Sequence, residues 1–186
     1  MAFALCLSWV SPVPGNPAES HFIKAVYLRN ALNFAYYPKD TFPTYKSPFL
    51  IGIAGDAPGM KESLDLAFGQ LGHKIQNRKV EIQVFPDPGS MTGNPSQSPQ
   101  CHALFLPESE TAKIKEWIQA ADGKRVLFCS EDQGCLQQGG DVALSPNPSF
   151  PNRYLYHIHV GRLKGKDIRF HTNFLRTSSS VKVIKN

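Results

Sequence analysis

The sequence predicts an α/β fold, a single domain with a mixed, mostly parallel sheet and helices on its faces. Short apolar segments typical of buried strands alternate along the chain with longer segments in which apolar residues recur at helical spacing. The chain has 186 residues, enough for one domain with a substantial core. Its composition, 41% hydrophobic and 19% charged, is typical of a globular protein. No long internal repeat is visible, nor a boundary that would split the chain into two domains.

The first half of the chain is predicted to contain two helices and two strands. Apolar residues recur at helical spacing over residues 18–37, on more than one side, and Pro38 ends the pattern. Residues 49–54 are a short apolar run typical of a buried strand. A second helix begins at Pro58. Residues 79–85 then alternate between apolar and polar side chains, which indicates a half-exposed strand.

The second half begins with a loop and continues with strands and helices. Residues 86–100 are rich in Pro, Gly and Ser and are predicted as a mobile loop. Residues 103–106 are the next predicted buried strand. Ser109 is the predicted cap of a helix whose inner stripe includes Trp117 and which ends at Gly123. Further strands are predicted over residues 125–129, 154–160 and 168–172.

The chain carries a net charge of +5, and much of the positive charge lies late in the sequence. A basic surface can attract nucleic acid, anionic lipid or an acidic partner protein. The late cations are not grouped with aromatic residues, and no nucleic-acid-binding motif is present. We therefore expect a solvated basic face and no nucleic-acid partner. These cations are Arg162, Lys164, Lys166, Arg169, Arg176, Lys182 and Lys185.

The composition of the N-terminal and C-terminal segments sets them apart from the predicted domain, so that the chain has three parts. Residues 1–10 are apolar and residues 11–15 contain two prolines, which is typical of the end of a secretory signal, although no Lys or Arg precedes the apolar stretch. Residues 1–17 are therefore either the remainder of an export signal or a flexible N-terminus. Residues 18–180 are the predicted domain, and residues 181–186 are a basic tail. No stretch is long and apolar enough to span a bilayer, so no membrane insertion is expected.

Four cysteines are present, and Cys6 lies within the apolar N-terminal stretch. If an export signal is removed, Cys101, Cys129 and Cys135 are left, and one bridge with one free thiol is the simplest arrangement of this odd set. Export would favour a bridge, whereas a cytosolic protein would keep its thiols reduced. The sequence has no Cys-x-x-Cys, which argues against a thioredoxin-like oxidoreductase.

Other candidate sites are weaker. Motifs such as Gly-x-Ser-x-Gly and His-Glu-x-x-His do not occur, so we expect no enzymatic activity, no cofactor and no metal site. His157 and His159 share one face of a strand, where they could bind a metal or form part of a polar sheet face. The corner at residues 55–59 could hold an anion or act as a structural turn. Four carboxylates at strand ends assign neither an acid nor a base: Glu108, Glu110, Glu131 and Asp132.

Five stretches point to a known family. They are the opening helix that leads to Pro38, an apolar strand that ends in Gly-Asp, a Cys-His-Ala-Leu-Phe-Leu strand, a Val-Leu-Phe-Cys-Ser-Glu strand followed by two glycines, and the closing segment. In order and spacing they resemble the YfiR family. They lie at residues 23–38, 49–56, 101–110, 126–140 and 156–178.

The best-understood members of that family are periplasmic repressors of an inner-membrane diguanylate cyclase. The resemblance therefore implies an exported regulatory protein that is not an enzyme. Its expected partner is the periplasmic domain of an inner-membrane diguanylate cyclase or sensor kinase, and a homodimer is left open. A small-molecule-binding lobe without a cyclase partner is the alternative, with its ligand near Gly55 and Ser130 at the strand ends. A metal- or thiol-dependent enzyme is the third hypothesis.

Some members of the family carry two bridged cysteines near the positions of Cys129 and Cys135. The resemblance therefore implies a Cys129–Cys135 disulfide, which would close a short loop and stabilise the fold by roughly 2 kcal/mol. Such a bridge could act as a redox-sensitive clamp on a loop that contacts the partner, or as a plain structural staple. Two reduced thiols are the remaining alternative.

Overall fold

The structure is a computed structural model that describes residues 17–69, 72–91, 101–121, 125–150, 153–177 and 179–185. Its α-helices are α1 (Pro17–Phe34), α2 (Met60–Gly69), α3 (Ile114–Ala120), α4 (Val160–Gly165) and α5 (Thr172–Leu175). Its strands are β1 (Ala35–Tyr36), β2 (Phe49–Ala54), β3 (Lys74–Ile75), β4 (Arg78–Phe85), β5 (Ala103–Leu106), β6 (Leu127–Ser130), β7 (Val142–Pro146), β8 (Tyr154–His159), β9 (Arg169–Phe170) and β10 (Val181–Ile184). Short 3-10 helices occupy Lys39–Thr41, Pro88–Met91, Glu108–Lys113 and Gln133–Leu136.

Eight of these strands form one sheet in the order β10-β8-β7-β6-β5-β2-β4-β3, and β1 pairs separately with β9. Within the large sheet, β3–β4 and β7–β8 are antiparallel and the other five pairings are parallel. The predicted fold class is confirmed: the chain is an α/β domain with a mixed, mostly parallel sheet and helices around it. Parallel pairs need crossover connections, and these place helices over the faces of the sheet.

Two apolar layers lie on the opposite faces of the sheet. Because side chains alternate along a strand, Leu127 and Cys129 face the layer shared with α1 and α2, whereas Phe128 faces the other layer. Trp117 of α3 fills that second layer. Strands β2 and β5 are covered on both sides, which is why the sequence shows them as continuous apolar runs.

Most predicted elements lie where the sequence pattern placed them. The predicted strands over residues 49–54 and 103–106 coincide with β2 and β5. The helix predicted over residues 18–37 ends earlier, at Phe34, because the next two residues pair with β9 instead of continuing the helix.

The predicted helix cap at Ser109 is wrong. Residues 108–113 form a 3-10 helix that is entered from Pro107 without a side-chain cap bond, and α3 begins only at Ile114. The strand before this segment ends in a proline, which has no N–H and favours an extended backbone at the entry to the 3-10 helix. The inner stripe, including Trp117, is buried as predicted.

Strands β7 and β10 had no counterpart in the sequence prediction. β10 lies parallel to β8, with Val181 opposite Tyr156 and Val183 opposite Ile158. The boundary predicted at residue 180 therefore falls directly before a paired strand, and residues 181–184 form an edge of the large sheet. Lys182 and Lys185 made residues 181–186 resemble a polar tail in the sequence. The structure instead pairs residues 181–184 with β8, and Val181 is buried.

Three predictions fall outside the described residues: residues 1–16 of the N-terminal part, residues 92–100 of the long loop and the helix end at Gly123. In the part of the chain that the structure describes, no helix combines the length and the hydropathy needed to cross a bilayer.

Candidate functional site

The carboxyl ends of β5 and β6 are tied to α1 by Glu131. Lys24 of α1 forms an ion pair with one oxygen of the Glu131 carboxylate, and both side chains are largely buried. The other oxygen accepts a hydrogen bond from the backbone N–H of Glu108, at 2.9 Å. Glu131 is therefore fully engaged in joining a helix to two strand ends.

A second carboxylate at this end of the sheet fills the corner after β2. The buried Glu110 side chain accepts a hydrogen bond from Trp117 Nε1 at 3.1 Å and pairs with Lys113 at 3.3 Å. It lies against Gly55, which has a φ of +66°, and a Cβ atom at that position would come within 2.5 Å of Glu110 Oε1. Glycine is needed here for both its backbone angle and its lack of a side chain.

The polar side chains at the carboxyl end of β6 also form hydrogen bonds within the protein. Ser130 is fully buried and accepts a hydrogen bond from the N–H of Asp132, at 3.1 Å. Asp132 caps the 3-10 helix Gln133–Leu136 by accepting from Gly134 N, at 2.8 Å. The region near Gly55 and Ser130, where the sequence suggested a ligand, is thus filled by the protein's own side chains.

The structure does not contain the predicted Cys129–Cys135 disulfide, since both side chains are thiols. Cys129 points into the layer shared with α1, whereas Cys135 lies in the layer on the opposite face, where its thiol approaches the carbonyl of Val142 at 3.8 Å. The sheet separates the two sulfur atoms, so a bridge would require residues 131–141 to move. The six-residue spacing in sequence does not reveal this separation.

Burial also makes the two thiols poor nucleophiles. It raises the pKa of Cys135 to about 12 and raises the pKa of Cys129 well above its usual value. Both therefore stay protonated at neutral pH, and the thiolate is the reactive form. The geometry gives no support to a thiol-dependent reaction at this pair.

Helix α4 holds the segment that carries Cys135 in place. Arg162 donates hydrogen bonds to the carbonyl oxygens of Leu136 and Gly140, the latter at 2.7 Å. Lys166 pairs with the fully buried Asp141 at 2.5 Å and donates to Val126 O at 2.9 Å. These two cations attach α4 to the middle and to the β7 end of the connection between β6 and β7, and to the residue before β6. We name this arrangement the α4 clamp.

His157 and His159, the candidate metal pair, have separate structural roles. His157 Nε2 lies 2.9 Å from the hydroxyl of Ser145, and both side chains are buried. His159 caps α4 by accepting a hydrogen bond from Arg162 N at 3.3 Å. Among the described residues, no group of three His, Cys, Asp or Glu side chains is arranged to hold a metal ion.

An open groove lies at the other end of the sheet, beside the two-stranded ribbon of β1 and β9. Its volume is about 580 Å³, and it is open to solvent along one side. We call it the β1–β9 groove, and it is lined by residues 33–36, Gln76 and residues 169–171. Phe34 and Tyr36 are 43% and 53% exposed, which is unusual for large aromatic side chains that share one depression.

A second depression adjoins the groove. Its volume is about 440 Å³, and Tyr36 and Gln76 line both depressions. We call it the Tyr45 hollow, and its other lining residues are Tyr37, Lys39, residues 42–45 and Arg78. Arg78 lies 3.7 Å over the Phe42 ring and donates to the carbonyls of residues 44, 45 and 47, so the wall of the hollow is held firmly.

The groove residues were not predicted as a site from the sequence. They come from three distant segments that meet only because β1 pairs with β9 and because the β3–β4 hairpin reaches across to the ribbon. One signal was available: Phe34 and Tyr36 are large aromatics at the end of an otherwise buried helix pattern, directly before Pro38.

Comparison with known proteins gives one family match. The family model of DUF4154, described as YfiR/HmsC-like, matches residues 21–179. The matched range contains the groove, the α4 clamp and all three described cysteines. No curated protein matches the chain.

Proposed function

Because the chain belongs to the YfiR/HmsC-like family, as its five motifs indicated, we propose that it is a periplasmic regulatory protein that controls a membrane diguanylate cyclase through direct contact. The family match over residues 21–179 is the observation that carries this proposal. The family supports a regulator of cyclic di-GMP signalling in general, and its members are regulators rather than known enzymes. A sensor kinase with a periplasmic domain is the alternative partner.

A regulator that acts by direct contact must bind the inactive and active states of its partner with different affinities. A protein that binds the inactive state of a cyclase more tightly than the active state shifts the population toward the inactive state. To move an equilibrium from 1:99 to 99:1, the affinities for the two states must differ by about ten-thousand-fold. A folded domain with a pre-formed recognition surface suits this role, because little ordering entropy is lost when it binds.

The test is a binding measurement with purified proteins. We expect the full chain to bind the isolated periplasmic domain of a membrane diguanylate cyclase from the same organism, with a dissociation constant of micromolar order or below, as calorimetry would detect. The periplasmic domain of a membrane protein without a signalling function serves as the control for nonspecific adhesion. Absence of binding to the cyclase domain would refute the proposal.

The same measurement, made with and without reductant, tests redox tuning. A Cys129–Cys135 bridge that clamps a contact loop would make the affinity depend on reductant. Equal affinities in both conditions would exclude redox control and leave regulation by contact in place.

A further inference from the structure

The β1–β9 groove and the Tyr45 hollow have similar chemistry. Both combine exposed aromatic rings with cations: Arg169 lines the groove, and Lys39 and Arg78 line the hollow. Among the described residues that line the two depressions, none carries a carboxylate. An aromatic, cationic surface of this kind complements a partner that presents apolar side chains and negative charges.

The cations at the rim remain available to a partner. Arg169 is 76% exposed, and its pair with Asp167, at 3.1 Å, is solvated and therefore weak. Asp40, the sequence neighbour of Lys39, is instead paired with Arg125 at 2.9 Å. A carboxylate of a partner would thus contact Arg169 and Lys39, whose positive charges the protein itself does not fully neutralise.

Buried aromatic rings behind Phe34 hold this part of the groove in a fixed arrangement. Phe34 stacks on Phe174 with ring centroids 4.9 Å apart, and Phe174 in turn contacts Phe170 at 5.5 Å. The carbonyl of Phe34 accepts a hydrogen bond from His171 N at 2.9 Å, which joins β1 to β9. Because these rings are already fixed, binding costs them little conformational entropy.

The wall shared by the two depressions includes the turn between β3 and β4. Gln76 and Asn77 form this turn, with φ values of +49° and +63°. A two-residue hairpin turn of type I′ requires a positive φ at both central residues, so these angles fix the position of Gln76 as part of the hairpin. The turn places Gln76 beside β1, where its side-chain amide donates to Tyr37 O at 3.1 Å.

We infer that these two depressions together form the surface that recognises the partner, and that the occupant is an extended acidic segment of the partner protein carrying apolar side chains. The depressions share Tyr36 and Gln76 and are both open to solvent, which suits a chain segment better than an enclosed small molecule. In the described structure, β1 and β9 pair only with each other, so the ribbon offers strand edges to an extended segment. The inference rests on the proposed function only in naming the cyclase as the source of this segment.

The first test probes the chemistry of the surface without the cyclase. The isotope-labelled full chain is titrated with a short peptide of glutamates and two phenylalanines, and separately with its lysine counterpart. We expect amide shifts confined to residues 33–45, 76–78 and 169–171 with the acidic peptide, weaker at high salt, and much smaller shifts with the basic one. Shifts elsewhere, or equal shifts with both peptides, overturn the inference.

The second test uses the periplasmic domain of the cyclase and two groove variants. Tyr36→Ser removes an exposed ring, and the double variant Lys39→Glu with Arg169→Glu reverses exposed charge. Each should weaken binding at least about tenfold, the double variant mainly through a slower association rate. The matched controls, Phe150→Ser at a 50% exposed ring and Lys115→Glu with Lys185→Glu at exposed cations elsewhere, should stay within about twofold of wild type.

The two tests separate the two proposals. If the cyclase domain binds wild type and the groove variants equally, the inferred surface is wrong and the proposed function stands. If the acidic peptide occupies the groove but the cyclase domain does not bind wild type, the proposed function fails and the assignment of the surface stands.

Discussion

At the scale of single residues, His102 shows how a polar side chain serves the core. His102 is almost fully buried against the rings of Phe42 and Phe49, at centroid distances of 4.6 and 5.0 Å. Its Nδ1 accepts a hydrogen bond from Leu50 N at 2.9 Å, and its carbonyl accepts one from Tyr37 Oη at 3.0 Å. Burial, assisted by the nearby Arg78 charge, lowers the pKa of His102 to about 4.

His102 should therefore make stability depend on pH. The unfolded chain takes up a proton at this imidazole near its ordinary pKa of 6.5, whereas the folded chain does so only near 4. The contribution of His102 to stability is thus complete above about pH 6.5 and is lost as the pH falls toward about 4. At 1.36 kcal/mol per pKa unit, the loss approaches roughly 3 kcal/mol.

The variant His102→Asn tests this dependence. Asparagine can keep an acceptor for the Leu50 N–H but does not titrate. Between pH 7 and pH 4.5, we expect the free energy of unfolding in urea to fall by roughly 2–3 kcal/mol less in the variant than in wild type. The solvent-exposed His171→Asn is the control and should follow wild type. Parallel curves of unfolding free energy against pH for His102→Asn and wild type would contradict the prediction. Burial also lowers the pKa of His157, but this residue is present in both proteins and contributes equally to their pH dependence.

At the scale of elements, the α4 clamp decides how firmly the connection between β6 and β7 is held. Arg162 bonds two carbonyls of this connection, while Lys166 bonds the buried Asp141 at its end. Hydrogen bonds from a charged donor contribute about 1.5–3 kcal/mol. The clamp adds to the backbone hydrogen bonds of the segment that carries Cys135, which is completely buried.

Removing the Arg162 side chain should therefore expose Cys135. We expect Arg162→Ala to raise the rate at which iodoacetamide alkylates Cys135 by at least about tenfold, as read by peptide mass spectrometry, because local opening costs about 2 kcal/mol less. Lys164→Ala changes an exposed cation on the same helix and is the control. An unchanged rate at Cys135 in Arg162→Ala would show that the clamp does not hold the segment.

At the scale of the whole molecule, the two ends of the sheet have different uses. In open α/β sheets, ligands usually bind at the carboxyl ends of the strands. Here Glu110 fills the corner after β2, and the ion pair between Glu131 and Lys24 joins the end of β6 to α1. The open depressions lie instead at the amino ends, where α1 finishes and the β1–β9 ribbon begins. A partner would accordingly approach the end of the domain opposite to the usual one.

The arrangement of the sheet also leads to a prediction about the cysteines. Because Cys129 and Cys135 lie on opposite faces of the sheet, we expect both to be thiols in the purified protein, even after aerobic preparation. Unfolding in guanidinium with iodoacetamide and without reductant should label both residues to the same extent as a fully reduced sample. The disulfide predicted from the family resemblance requires the opposite result, protection of both residues until reductant is added.

The sequence by itself determined the fold class, the family and the positions of most elements. Strands β2 and β5 could be placed from local runs of apolar residues, because burial on both faces leaves a continuous signal in the chain. Helix α1 was visible for the same local reason, through the spacing of its apolar residues.

Only the tertiary structure decided which side chains meet. The local pattern of β6 shows that its side chains alternate, but not that the following connection returns Cys135 to the other face of the sheet. Likewise, residues 34–36, Gln76 and residues 169–171 share a groove through long-range strand pairing. Alternation and helical spacing are properties of neighbouring residues, whereas pairing and packing depend on contacts between residues far apart in the chain, which no local pattern encodes.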